Sequence, residues 1–389
     1  MGDKAFVTPA VLKWARETAR MTMDQAAAKA GVAVQKVVDW EEGVDKPTIR
    51  QAELLADAYK RPFAIFMLPA PPRDFTLLRD FRKKNAHPLT TASIFIIREM
   101  QEKQAWTREW LEEEGREPLS FVGRFSIKDK PSRVAADILK ELNIHPPSYT
   151  KPIRDWIAKA EEKGIFISRT SFIHSRLTLD SEEFQGFVIA DPLAPFIFIN
   201  TEDWDTAQLF TLVHEIAHLW IKESGISNAI HPESIRDNSL DPIERFCNMV
   251  AAAALMPKGY VESLSPATFH TMTDVYKQAS RCGVSSIALL IRAYELNLIP
   301  DSKFRILKKE ADQAFTAFEA REAGKKAIPK KPEAGGPDAL RLRTYRNGLL
   351  FSRLVLDAFR GGLIQPTEAS SLLGTAITKF TKLEAYVYP

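Results

Sequence analysis

Apolar positions along this chain recur with two periods, and the switch between them outlines the fold. Over the first seventy residues the period is helical. Leu12, Ala15 and Ala19 share one face of a first helix. Thr22 stands at the cap position of a second, "MDQAAAKAG", which Gly31 ends. A third, "VQKVVDWEEG", follows a tight turn, and Pro47 leads into "TIRQAELLADAYK". Ala27, Gly31, Val34 and Trp40 are expected to pack inside, so that Gln35, Lys36 and Asp39 face outward. Two short helices joined by a three- to four-residue turn with glycine make a helix-turn-helix pattern.

Residues 69–90 are proline-rich and basic and read as a linker. "ASIFIIREMQEKQAWTREWLEEEG" then predicts one long helix, and "SRVAADILKELNI" a shorter one. "IRDWIAKAEEKGIFISR" reads as a helix, a glycine stop and a strand. "FQGFVIAD" and "PFIFIN" are short, β-branched and aromatic, which predicts strands of a sheet with at least three members. Helical spacing returns in "DTAQLFTLVHEIAHLWIKE", which holds no proline or glycine. It returns again in "DPIERFCNMVAAAALMP", with Asp241 or Pro242 at its start. Near the end, 320–337 reads as a flexible linker rich in Lys, Pro and Gly. "DALRLRTYRNGLLFSRLVLDAFRGGL" is expected to be one amphipathic helix, and "TEASSLLGTAITKFTKLEAY" one or two more.

The fold class that follows is α+β and mainly helical. Its expected parts are a five-helix helix-turn-helix domain at 1–70 and a linker and helical connector at 71–149. A domain with a small sheet packed on a helix follows at 150–300, and a basic linker with a helical extension at 301–389. A length of 389 residues suits two or three domains. Composition adds exclusions. A net charge of +3 is too small to imply nucleic-acid binding by itself. The two cysteines, Cys247 and Cys282, exclude a disulfide framework and suit a reducing compartment. Cys282 reads as a buried small apolar residue. The first residues lack a signal-peptide core, and no apolar run reaches the roughly 18–20 residues that span a bilayer. A cytoplasmic protein without a membrane partner is therefore expected.

The chemistry concentrates in "FTLVHEIAHLW". Residues four apart on a helix share a face, so His214 and His218 can present both imidazoles to one ion. Glu215 is rotated by about 100°. It lies out of ligand reach but can serve as general base to a water on that ion, the arrangement of the HExxH zinc peptidases. A catalytic zinc takes three protein ligands and keeps one position open. Glu244, in the first turn of the following helix, is the favoured third ligand, and Cys247 its rival. Asn248 shares the face of Glu244 and can support the site from behind. A buried helix whose histidines are satisfied by hydrogen bonds would spell the same motif.

His231, His270 and Tyr260 are weaker candidates for steadying an oxyanion. His87, His145 and His174 read as loop or surface residues. No nucleophile elbow, P-loop or dinucleotide fingerprint occurs.

Two resemblances fit these residues. "MTMDQAAAKAGVAVQKVVDWEEGVDKPTIRQAELLADAY" resembles the Xre/Cro repressors over about residues 8–68. That resemblance implies DNA binding as a homodimer, with Gln35, Lys36 and Asp39 on the reading helix. Residues 1–70 nevertheless hold ten Lys/Arg against nine Asp/Glu, so protein docking is the competing use of this unit. "GFVIADPLAPFIFIN", "LFTLVHEIAHLW", "ERFCNMVAAAALMP" and "GVSSIALLIRAYELNLI" together resemble the ImmA/IrrE family of zinc metallopeptidases over about residues 150–300. That resemblance implies Zn2+ on His214, His218 and Glu244, with Glu215 as base. It also implies a regulator that cleaves one protein partner, a repressor or a toxin–antitoxin component, in stress response or mobile-element control. The family pattern leads one to expect an acidic residue near Ala253, where this chain has alanine. The alternative is a non-enzymatic antitoxin or repressor that binds DNA and clamps its partner with an inactive peptidase fold.

Overall fold

The computed structural model describes residues 2–72, 78–81, 88–147, 151–174, 177–180, 182–227, 240–327 and 338–388. Two compact units emerge. The first comprises residues 1–77, 87–102 and 173–178, and the second the remainder. The boundary falls inside one continuous helix.

The first unit opens with α1 (Pro9–Thr18), α2 (Met23–Ala30), α3 (Val34–Glu41) and α4 (Ile49–Tyr59), followed by a 3-10 turn at Phe63–Met67. Thr22 and Thr48 each close a capping box, with Gln25 and Gln51 reaching back to the cap backbone. Gly31 ends α2 with φ 68, the left-handed turn that glycine adopts without strain. Leu12, Ala15 and Ala19 are buried as expected. On α3 it is Val37 that enters the core with Trp40, while Val34 is 37% exposed. Val34 is the first residue of the helix, and the buried stripe begins one turn later. Arg16 and Glu41 form a buried bidentate pair at 2.7 and 2.9 Å, and the third arm of Arg16 donates to the Met21 carbonyl. Within 1–70 there are thus four α-helices and a 3-10 turn. A fifth helical piece comes from the first half of α5 (Thr91–Glu113), where Phe95 joins the same core and Arg98 donates to the Tyr59 and Thr18 carbonyls.

The second unit is built on a five-stranded sheet of mixed direction. In chain order its strands are β1 (Arg79–Asp80), β2 (Phe166–Arg169), β5 (Gly186–Ile189), β6 (Phe196–Ile199) and β7 (Gly225–Ser227), arranged β1-β7-β5-β6-β2. A separate ribbon, whose residues 173–178 belong to the first unit, pairs β3 (Phe172–His174) with β4 (Leu177–Thr178). The stretch read as a linker therefore contributes a strand. Two residues are too few to show a period, and only the pairing with β7 defines β1.

Side chains alternate across the sheet, giving it two buried faces. Ile167, Val188, Ile197 and Ile199 join the core that contains α8 (Asp205–Ile221) and α9 (Pro242–Leu255). Helices α6 (Pro131–Glu141) and α7 (Pro152–Glu162) complete that layer. Phe166 and Phe196, stacked at 4.8 Å, face the other way, toward the C-terminal helices.

Further along come α10 (Lys258–Glu262), α11 (Met272–Cys282) and α12 (Ser286–Glu295). Next is α13 (Asp301–Ala327), so residues 320–327 are helical and not part of a linker; 328–337 lie outside the described residues. The expected single helix after Asp338 is two, α14 (Ala339–Asn347) and α15 (Leu349–Arg360). Gly348 separates them with φ 80, and a Cβ there would lie 2.3 Å from the Ile167 carbonyl of β2. Close approach to the sheet breaks the helix at that point. Finally α16 (Pro366–Leu373) and α17 (Phe380–Val387) finish the extension. No helix among the described residues is long and apolar enough to cross a membrane.

Candidate metal centre

Helix α8 is apolar on nearly every side, and all residues from Gln208 to Ile221 are buried. Its histidines are therefore held by packing rather than by solvent. The Nε2 atoms of His214 and His218 lie 3.0 Å apart, as expected of one turn's separation on one face. Asp241 caps α9 by accepting from the Ile243 amide, which places Glu244 in the first turn opposite those rings. Its carboxylate oxygens stand 3.4 Å from His214 Nε2 and 3.1 Å from His218 Nε2. One ligand atom from each of the three falls within 4.8 Å of the others. The grouping among the described residues takes Glu244 and not Cys247. Burial pushes the Cys247 thiol well up, the neighbouring carboxylates add to that, and a neutral thiol is a poor ligand.

Charge and burial oppose one another throughout the cluster. Burial alone would raise the Glu244 carboxyl, but the two histidines outweigh it and hold the group at about 2. Burial lowers His218, with Glu244 opposing. His214 is also pushed down by burial, yet Glu244, Glu215 and Asn248 carry it above its ordinary value. Glu215 is raised to about 8, first by burial and then by the Glu244 charge, while His214 and Ser227 oppose.

Several buried polar atoms lack a hydrogen bond of good geometry: both Glu215 oxygens, both histidine Nδ1 atoms, Ser227 Oγ and Asn248 Oδ1. Asn248 nonetheless lies close enough to His214, and Ser227 to Glu215, for each to favour its neighbour's charged form. Such orphaned groups are rare inside proteins. Two imidazoles and a carboxylate converging at a buried point, with a second carboxylate beside them, fit a divalent metal cation.

Three further contacts shape the site, and the sequence reading missed them. The Phe81 ring stacks on His218 with centroids 5.5 Å apart. Gly225 makes room for it, since a Cβ there would lie 2.1 Å from Phe81 Cε2. Gly186 of β5 lies against Glu215, where an added Cβ would come within 3.1 Å of Glu215 Oε1 and 2.7 Å of Thr211 Cγ2. Single glycines beside short strands signal close approach, but nothing local says what approaches.

The remaining candidates lie elsewhere or outside the described residues. Tyr260 directs its hydroxyl to Gln278 at 3.4 Å, and His145 and His270 are exposed. His174 lies in β3, while His87 and His231 fall outside the described residues. Cys282 is buried, and so is Ala253, inside the core around α8 and α9. In the first unit, Gln35 and Lys36 are exposed on α3. Both are already engaged: Gln35 donates to Asp39 at 2.9 Å, and Lys36 pairs with Asp45 at 3.0 Å.

Comparison with known proteins places this architecture in a class. Residues 160–294 match the peptidase family described as the IrrE N-terminal-like domain, and residues 12–66 match a helix-turn-helix family. The first unit is thus similar to helix-turn-helix units and the second to the IrrE N-terminal-like peptidase domain, as both resemblances implied. A particular relative is the radiation response metalloprotease IrrE of Deinococcus deserti, 32% identical over 111 residues. That match spans 28% of this chain and 40% of the relative's length.

Proposed function

We propose that this protein is a DNA-binding regulator of the cytoplasm whose zinc-dependent peptidase unit cleaves one specific protein partner, a repressor or a toxin–antitoxin component. The observation that carries the reading is the convergence of His214, His218 and Glu244 beside the unpaired carboxylate of Glu215. His214, His218 and Glu244 would hold the ion. When bound, zinc supplies Lewis-acid polarisation of a carbonyl and a water acidic enough to react near neutral pH. Glu215 takes a proton at one carboxylate oxygen from the attacking water and delivers it to the departing amide nitrogen. Its burial raises its basicity for the first of these transfers. Ser227 steadies the charged form of Glu215, and Asn248 positions the His214 ring. In the first unit, Gln35 reads a base edge, Lys36 meets a phosphate, and Asp39 orients Gln35.

A second reading has one observation in its favour: His214, Glu215 and His218 have no exposed surface, and Glu244 has 3%. A clamp that binds a partner without cutting it would leave the site so enclosed. The experiment compares wild type with Glu215→Gln, purified together with bound partners from the source cells. An intact partner with the variant and a clipped one with wild type is the expected result. The same intact partner with both, while zinc is present at one per chain, sinks the enzymatic reading.

A further inference from the structure

The enclosed site raises the question of what a substrate would have to displace. Next to the edge strand β1 lies β7, which directly follows α8, carries Ser227 beside Glu215, and would itself be the edge without β1. That edge is covered by the two residues of β1, running parallel to β7 with Arg79 opposite Gly225 and Asp80 opposite Ile226. The Phe81 amide donates to the Ile226 carbonyl at 3.1 Å. Its ring then fills the slot left by Gly225 and lies on His218. The Arg79 guanidinium sits 4.6 Å over that ring, 3.8 Å from Glu223 and 3.4 Å from Asp241. Glu223 follows α8 and Asp241 caps α9, so this short segment is tied to the ends of both helices that carry the candidate ligands.

These are the features of a bound peptide. An extended backbone adds to a sheet edge, one side chain fills a pocket on the candidate ligand, and a cation two positions earlier meets two carboxylates. A two-residue ladder is too short to be stable by itself, so a competing segment with the same features can replace it.

We propose that residues 79–81 are a built-in occupant of the substrate site. By this proposal the partner recognised by the peptidase unit presents an extended segment with a basic residue two positions before an aromatic one. Such a segment takes the place of β1 along β7. Gly225, Ile226, Glu223 and Asp241 are the residues that specify it. The proposal rests on the peptidase reading for its consequence, since displacement of Phe81 uncovers His218, but not for the peptide site itself.

The test uses the full chain and a fluorescent peptide with the sequence of residues 76–84, TLLRDFRKK, followed by anisotropy. Wild type, with its own segment in place, is expected to bind it weakly. Phe81→Ala should bind at least tenfold more tightly, and a peptide with its phenylalanine changed to alanine should lose that gain. Arg79→Ala, at a half-exposed side chain, tests the same edge without emptying the ring slot and should bind the peptide severalfold more tightly than wild type. The second readout is the rate at which a chelator removes zinc, expected to rise at least tenfold in Phe81→Ala. Equal peptide affinity across wild type and both folded variants overturns the proposal. Absence of zinc from wild type, with the peptide gain intact, overturns the metal reading and leaves the peptide site standing.

Discussion

Glu161 shows what a single buried charge does away from the metal centre. It lies on α7 and accepts from the Leu350 amide at 3.2 Å, capping α15 across the sheet edge. Burial raises its carboxyl to about 7, with the backbone donors and the charges of Arg353 and Arg169 opposing. A carboxyl raised on folding binds its proton more tightly in the native chain than in the unfolded one. Its contribution is therefore complete below the ordinary carboxylate range and is lost as pH rises through about 7. Glu161→Gln keeps the acceptor oxygen and removes the ionisation. The variant is expected to match wild type near pH 4 and to be more stable at pH 8 by about 1–3 kcal/mol, read from denaturant midpoints at the two pH values. An equal difference at both pH values would refute it. At this scale the pair on α8 was readable in advance because i,i+4 spacing on one helix dictates who meets whom, and the need for a third donor pointed to the next helix, where Glu244 was favoured over its rival Cys247. Phe81 was not readable. Its partner His218 and its slot at Gly225 are remote in the chain, and no periodicity links them.

Helix α3 shows the same division among elements. Its existence, its outward Gln35 and Lys36 and the caps around it follow from local spacing and from Thr22, Gly31 and Thr48. Which valine is buried did not follow, because the entry of the chain into the helix shifts the stripe by one turn. The break at Gly348 and the strand at Arg79 were likewise set by the sheet against which they lie. If α3 reads DNA, its two exposed side chains must leave their present partners, Asp39 and Asp45. Gln35→Ala should weaken binding to the protein's own upstream DNA by on the order of tenfold and relax the preference at one base pair. Lys36→Ala should weaken all sequences alike and reduce the salt slope by about one. Retardation assays at two salt concentrations distinguish these outcomes, and unchanged binding in the double variant would remove α3 from the interface.

For the molecule as a whole, the C-terminal extension belongs to the second unit. Phe351, Val355, Leu356, Phe380 and Leu383 share a core with Phe166 and Phe196, and Trp106 and Trp110 pack against it. Lys103 donates to Asn347 at 2.8 Å, and Trp106 to Glu368 at 2.9 Å. Amphipathic helices were legible in the tail, but their destination was not, since a helical stripe names no partner. Burying each such side chain contributes about 1.5–3 kcal/mol. A chain ended at residue 337 should therefore leave one face of the sheet bare and sediment as aggregate, while the full chain stays in the supernatant. A soluble shortened chain with cooperative unfolding would show that the face is covered by something else.

The same packing has a consequence in time. During synthesis, Phe166 and Phe196 leave the ribosome well before the helices that cover them. At about 5–20 residues per second, that delay is roughly ten to forty seconds. For that interval the nascent chain carries a stacked pair of aromatic rings on an open sheet, a surface that a holding chaperone would recognise. The order of the segments along the chain thus makes the later helices a condition for the solubility of the sheet made before them.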